Sequence, residues 1–300
     1  MNILVTGGTG FIGKALVQQL IALGATCYIV TRSPKKSIDP SIHYITWEAI
    51  KNLSFTTSID AIYNLAGESI NNRWTKKNKE KIVQSRLEST QTLISWLQRQ
   101  AQAPLVFINA SAVGYYGTST KNPSSEDSIS TSEDFLASTV KKWEECASLA
   151  ETIGIRTVYA RFGIVLDRFG GALPKMLLPY KLLIGGPLGH GNQWMSWIHL
   201  DDAVNLLILA LKDNTINGPL NIVAPYPVTM DEFSNILSKV MRKSNIFRVP
   251  SFVLKLFLGE MSLLVLEGQK VIPKIANEKN FEYNYPTLIE ALDQILPRYS

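Results

Sequence analysis

Along the first two-thirds of the chain, short runs of aliphatic and β-branched residues alternate with longer stretches whose apolar positions recur every three or four residues. The short runs are NILVTG from Asn2, TCYIVTR from Thr26, IHYITW from Ile42 and AIYNLAG from Ala61, then LVFINAS from Leu105, RTVYARF from Arg156 and PLNIVA from Pro219. Each is nearly continuously apolar, as a strand covered on both faces must be, and the alternation is that of a parallel α/β sheet. The helical spacing predicts helices from Ile12 to Leu23, Lys76 to Gln100, Glu133 to Ile153 and Asp201 to Leu211. In the third of these, Val140, Trp143, Ala147 and Ala150 form an apolar stripe, which puts Lys141, Lys142, Glu144 and Glu145 on the other side. Gly154 then supplies a C-terminal stop.

The alternation breaks between Arg168 and Trp197, a stretch rich in Gly, Pro and Leu, and from Pro225 onward Pro-bounded helical runs follow. Residues 168–197 and 225–300 are therefore expected to form a small, mainly helical substrate region. It would lie over the carboxyl edge of a sheet built from 1–167 and 198–224, the edge at which open α/β folds bind ligands. The most apolar stretch, Phe252 to Leu266, is interrupted by Lys255, Gly259 and Glu260. It is too short for a membrane span and is expected to be a core helix or pocket wall.

Composition narrows the picture. Of 300 residues 46% are apolar, enough for a full core. The net charge of +5 is spread along the chain, and its densest basic run, Lys76 to Lys81, is broken by Glu80. That run reads as a solvated helix face, so no nucleic-acid partner is expected, and no membrane partner either. Cys27 and Cys146 lie in apolar runs without disulfide or metal-ligand spacing, and His43 and His190 have no cysteine or carboxylate cluster around them. A cytoplasmic location and no metal are expected. The first apolar run leads directly into a glycine turn, so no secretory leader is expected.

That turn, VTGGTGFIG, places Gly7, Gly10 and Gly13 between a strand and a helix, with Thr9, Phe11 and Ile12 among them. The first glycine permits the tight turn, the second lets a pyrophosphate approach the backbone, and the third lets helix pack on strand. The helix N-terminus then offers its N–H groups to phosphate. At the end of the second strand a carboxylate would select the ribose diol of NAD. This chain has Thr31, Arg32 and Ser33 there, followed by Lys35 and Lys36. Arg32 can bind a 2′-phosphate and stack on adenine while Ser33 adds a donor, which makes NADP(H) the expected cofactor.

NLAG at Asn64 to Gly67, NASAVGYYG at Asn109 to Gly117 and WIHLDDAV at Trp197 to Val204 resemble the short-chain dehydrogenase/reductase superfamily in its extended form. More narrowly, NLAGESINNRWTKKNKEKIVQSRLEST, SAVGYYG, GGPLGHGNQWMSWIHLDDA and LGEMSLLVLEGQKVIPK resemble the atypical "epimerase family" proteins, a group of undetermined function often called sugar-nucleotide epimerases. The resemblance covers nearly the whole chain. It implies a Rossmann-type doubly wound parallel α/β sheet with a small C-terminal domain and a cleft between them, and no known substrate. It also implies that Leu65, Ala66 and Gly67 line the cofactor, together with Ala110, Ser111 and Phe162 at the ends of later strands. Trp47 falls where the family contacts adenine, and either stacks there or packs in the core. Tyr116 matches a family tyrosine at the border of the substrate pocket.

The departures are as informative. In active members a Ser or Thr after the fifth strand binds the substrate oxygen and a helix Tyr donates a proton. A Lys lowers that tyrosine's pKa and holds the ribose. These positions fall on Ala112, Leu136 and Val140, so all three roles are vacant. Ser138 and Lys142 share the spacing, but serine is a poor proton donor and Lys142 lies outside the apolar stripe. The catalytic candidates are Tyr116 and Glu68, the latter if burial raises its pKa at the cleft mouth. Arg73 and Arg86 flank the same mouth and either hold an anionic group or pair on the surface or between helices. His199 is expected to fix the chain ahead of a helix capped by Asp201. Met195 stands where nucleotide-sugar enzymes of the extended family often carry an Arg for the diphosphate, which disfavours such a substrate. The leading expectation is an NADP(H)-dependent oxidoreductase acting on a small apolar carbonyl or enone. The alternatives are a non-catalytic NADP(H)-binding sensor or scaffold and, third, an epimerase or dehydratase. The resemblance further implies a homodimer through the two long helices, Lys76 to Gln100 and Glu133 to Ile153.

Overall fold

Seven parallel strands frame the computed structural model, which describes residues 1–296. They are β1 (Asn2–Thr6), β2 (Thr26–Thr31), β3 (Ile42–Thr46), β4 (Ala61–Asn64), β5 (Val106–Ala112), β6 (Arg156–Phe162) and β7 (Gly218–Ile222). Their order across the sheet is β7-β6-β5-β4-β1-β2-β3. The chain winds outward from β1 to β3, then restarts at β4 on the other side of β1. The crevice over the β1/β4 boundary is thus the switch point at which such sheets bind ligands.

Both faces are covered, which is why the strand runs carry so few polar residues. On one face lie α1 (Phe11–Ala22) and α6 (Leu200–Lys212). On the other lie α2 (Trp47–Lys51), α3 (Lys76–Leu97) and α4 (Phe135–Ser148). Leu16 and Leu20 of α1 are removed from water, each burial stabilising the fold by about 1.5–3 kcal/mol. Asp134 caps α4 by accepting from the N–H groups of Leu136 (2.8 Å) and Ala137 (2.9 Å). The predicted helix from Glu133 to Ile153 is divided. Its last turn is a separate 3-10 segment, Glu151–Ile153, ended by Gly154 at φ +79°.

A second apolar core joins α5 (Leu173–Lys181), α7 (Met230–Met241) and the helix Leu288–Ile295 around Trp197 and Met195. Ile275, Ala276, Phe281 and Tyr283 instead pack on the sheet core. Glu126 fastens them there: its carboxylate accepts from the backbone N–H of Asn221 (3.1 Å), Lys274 (3.0 Å) and Ile275 (3.4 Å). Two local expectations are corrected. His199, not Asp201, caps α6, its Nδ1 accepting from the Asp201 N–H at 3.1 Å. The first half of the apolar stretch Phe252 to Leu266 is not core: in α8 (Ser251–Leu258) no residue is buried, and Phe252, Leu256 and Phe257 are 72%, 73% and 74% exposed, whereas Leu266 at its end is buried. Among the described residues no helix is long and apolar enough to cross a membrane.

Candidate active site

The glycine turn has the shape its spacing requires. Gly7 adopts φ +67°, and a Cβ there would lie 2.6 Å from the carbonyl oxygen of Leu65. A Cβ on Gly13 would lie 2.2 Å from the carbonyl oxygen of Gly7. Gly10 caps α1 with no side chain, and the first carbonyl bond into the helix runs from the Lys14 N–H to Gly10 at 3.0 Å. The N–H groups of Phe11, Ile12 and Gly13 therefore point outward without an acceptor among the described residues, and no acidic residue sits in this first turn. An exposed, unblocked helix N-terminus of this kind receives a phosphate. Thr9 and Gly10 are exposed. The ring of Phe11 turns the other way, against Gly170 and Gly171, where a Cβ would lie 2.2 Å and 3.1 Å from it.

Two further stretches complete the crevice. Arg32 and Ser33 leave the end of β2 exposed, and the Arg32 side chain has no hydrogen bond or ion pair among the described residues. Thr31 pairs with Thr46 across β2 and β3, so Arg32 and Trp47 leave neighbouring strand ends. Trp47 is half-buried against the α2–α3 core, which favours packing over stacking. Leu65 and Ala66 continue β4 over β1, their N–H groups donating to Thr6 O (3.2 Å) and Thr6 Oγ1 (3.0 Å). Asn64 anchors that turn, donating through Nδ2 to Asn109 Oδ1 (2.6 Å) and Thr90 Oγ1 (2.8 Å). Gly67 follows in the open. Ala110 is buried on β5, and Phe162 ends β6 half-buried beside Ala112.

Beyond β5 the vacancies are visible. Leu136 is half-buried, and its Cβ would lie 3.4 Å from a Cβ built on Gly114, in the 3-10 turn Val113–Tyr116. Val140 is buried one turn later, and Lys142 is exposed. Glu144, expected on the solvent face, is instead buried. Its carboxylate accepts from Arg161 Nε and Nη2, both at 2.8 Å, and from Ser111 Oγ at 2.5 Å. Ser111 thus directs its hydroxyl at α4 and away from the crevice. Arg161, 4% exposed, stacks its guanidinium 3.5 Å over the ring of Tyr115 and donates through Nη1 to the Tyr116 hydroxyl at 2.9 Å. This network was hidden from pattern reading, although a charged residue inside a strand covered on both faces implies a counter-ion somewhere.

The two catalytic candidates land differently from what their roles need. The Tyr116 hydroxyl donates to Asn221 Oδ1 at 2.8 Å while accepting from Arg161, and burial pushes its pKa up to about 12. It already holds one partner as donor and one as acceptor, so it has no proton free for a ligand. Glu68 is exposed, so the burial that a role as acid or base was expected to need is absent. Its backbone carries its contacts, the N–H to Ser85 Oγ (2.9 Å) and the carbonyl to Arg86 Nη1 (3.1 Å). Arg73 is exposed near Gly259. Met195 is 1% exposed in the second core, opposite Val228. Among the described residues no group of three His, Cys, Asp or Glu side chains converges.

The description "NAD dependent epimerase/dehydratase family" matches residues 3–223, the whole of this crevice. The chain belongs to that family. Residues 249–295 match a domain of unknown function. The epimerase family protein YfhF of Bacillus subtilis is 43% identical over 298 residues, covering 99% of this chain and 98% of the relative. A Staphylococcus haemolyticus epimerase family protein is 40% identical over 98% of both chains. The crystal structure of the human epimerase family protein SDR39U1 with NADPH superposes with a TM-score of 0.90 at 38% identity, covering 98% of this chain and 99% of that one. UDP-glucose 4-epimerase of Thermotoga maritima, at 18% identity and a TM-score of 0.79, shares the fold. Family and Rossmann-type sheet are thus as the sequence motifs implied.

Proposed function

We propose that this chain is an NADP(H)-dependent oxidoreductase that reduces a small, largely apolar carbonyl or enone without the helix-borne Tyr and Lys of its superfamily. The observation that carries the reading is the pairing of an open dinucleotide cradle with an apolar wall at the proton-donor position. Gly7, Gly10 and Gly13 clear the cradle, the α1 N–H groups face it, and Leu136 stands against the Gly114 turn. The human relative solved with NADPH supports the same cofactor here. When bound, that cofactor supplies a hydride. The chain's own residues would hold the pyrophosphate through the α1 N-terminus and the 2′-phosphate through Arg32 and Ser33, and would present an apolar surface to the substrate. Leu136 and Val140 carry no proton, and Tyr116 is engaged on both sides. General acid help is worth roughly a hundred- to ten-thousandfold, so the reaction suits a substrate whose product anion takes its proton from water.

NADPH oxidation against a panel of aldehydes, ketones and enones tests this, with slow turnover expected on an enone. No turnover on any of them, with NADPH bound tightly, would move the reading to a redox-state sensor, which the fully engaged Tyr116 favours. UDP- and dTDP-sugars are expected to give no protection in thermal-shift titration, because Met195 supplies no charge for a diphosphate.

A further inference from the structure

The charge distribution around α4 singles out Arg86. Val140 is buried on α4. One turn further on, Trp143 faces α3, and Arg86 reaches in from α3 to lay its guanidinium 5.1 Å from the centre of that ring. A Cβ on Gly67 would lie 3.2 Å from Arg86 Cζ, so the cation also touches the loop beside the cofactor crevice. Only one of its nitrogens is engaged: Nη1 donates to Ile82 O at 2.8 Å and Glu68 O at 3.1 Å. Nε and Nη2 make no hydrogen bond within the described residues, and no carboxylate there lies within ion-pair distance. Arg161 differs in having its carboxylate fork, and Arg156 in having three carbonyls, Ala210, Leu211 and Ile216. Burial pulls the pKa of Arg86 down to about 10, with the negative charge of Glu68 opposing the shift, so the group stays charged at neutral pH.

A half-buried guanidinium with two nitrogens unbonded and no carboxylate within ion-pair distance is completed favourably by an anionic ligand. The open side of a guanidinium is a planar fork that matches two carboxylate oxygens. The apolar surface that touches the cation is the Trp143 ring.

We propose that Arg86 binds the carboxylate of the substrate, which makes the substrate a small oxo or unsaturated acid with an apolar body. This inference rests on the oxidoreductase reading only for placing a substrate beside Gly67, and its test reads binding, not turnover.

Cinnamate and cinnamamide, equal in shape and different in charge, are titrated by calorimetry into the NADP+-saturated protein. A hydrogen bond to a charged group is worth about 1.5–3 kcal/mol, so the acid should bind at least about tenfold more tightly than the amide. In Arg86→Gln that preference should fall to within about twofold, with NADP+ affinity unchanged. Arg86→Lys, which keeps the charge and loses the fork, should retain part of it and serves as the second variant if Arg86→Gln does not fold. Equal binding of acid and amide to the native protein would overturn the proposal. So would an undiminished preference in Arg86→Gln, or a loss of NADP+ affinity in that variant, since Arg86 would then serve the cofactor. The carbonyl panel is independent: NADPH turnover on neutral enones with no acid preference would leave the oxidoreductase reading standing and remove this one.

Discussion

Replacing Glu144 by Gln keeps the side-chain shape and removes the charge that holds Arg161. The structure sets the size of the effect. Glu144 accepts three hydrogen bonds, two from a guanidinium that is 4% exposed and one from Ser111. Breaking one partner of a buried pair leaves an uncompensated charge and costs about 3–5 kcal/mol. At roughly 2 cal/mol/K per residue, unfolding a chain of this length carries an entropy near 0.6 kcal/mol/K, so the melting temperature should fall by about 5–8 °C. Urea unfolding followed by tryptophan fluorescence should show the same loss at an unchanged m-value. Arg161→Met alone should be comparably harmful, because Glu144 then keeps only Ser111. The double variant Glu144→Met/Arg161→Met should recover most of the loss, since a buried pair exchanged for apolar side chains of similar volume is often neutral. That means a coupling energy of more than about 2 kcal/mol between the two positions. A single-variant loss below about 1 kcal/mol, or a double variant equal to the sum of the singles, would refute the claim that this pair is desolvated and mutually dependent.

Arg32→Ala is expected to weaken NADPH about tenfold or more and NADH little, because one charged bond to the 2′-phosphate is lost; equal losses by calorimetry would remove the argument. Lys142→Ala should leave NADPH oxidation unchanged, as its side chain is exposed. Tyr116→Phe should lower stability through the lost bonds to Arg161 and Asn221, which a thermal scan measures, and not through a lost proton donor. Asp213 accepts from Thr215 and pairs with Lys279 at 3.1 Å, and these partners lower its pKa to about 2. Its contribution is present above the ordinary carboxylate pKa and disappears as the pH falls toward 2. Asp213→Asn should therefore flatten the acid limb of the stability–pH curve in that range.

The sheet was legible because parallel strands covered on both faces must be apolar throughout, and all seven runs became its strands. The glycine cradle was legible because Gly7 and Gly13 occupy sites where backbone leaves no room for a Cβ. Glu144 was misplaced by the rule that served elsewhere: a stripe sorts residues by polarity, and an ion pair across 17 positions is invisible to it. Phe252, Leu256 and Phe257 fail in the opposite sense, since apolar composition alone does not decide whether a helix finds a surface to cover it. Whether the Tyr116 hydroxyl is free depends on Asn221, more than a hundred residues later in the chain, which no local pattern reveals.

Glu126 has a consequence for motion. One carboxylate holds the end of the sheet at Asn221 and the start of the short helix Lys274–Glu278 at Lys274 and Ile275. Swinging that segment away would strand buried polar groups, each at about 1–3 kcal/mol. Opening by several such groups at once is rare on the timescale of a ligand encounter. The segment beside β7 is therefore expected to travel with the sheet as one body. Amide exchange should be slow at Asn221, Lys274 and Ile275, and faster along α8, which has no buried residue to hold it.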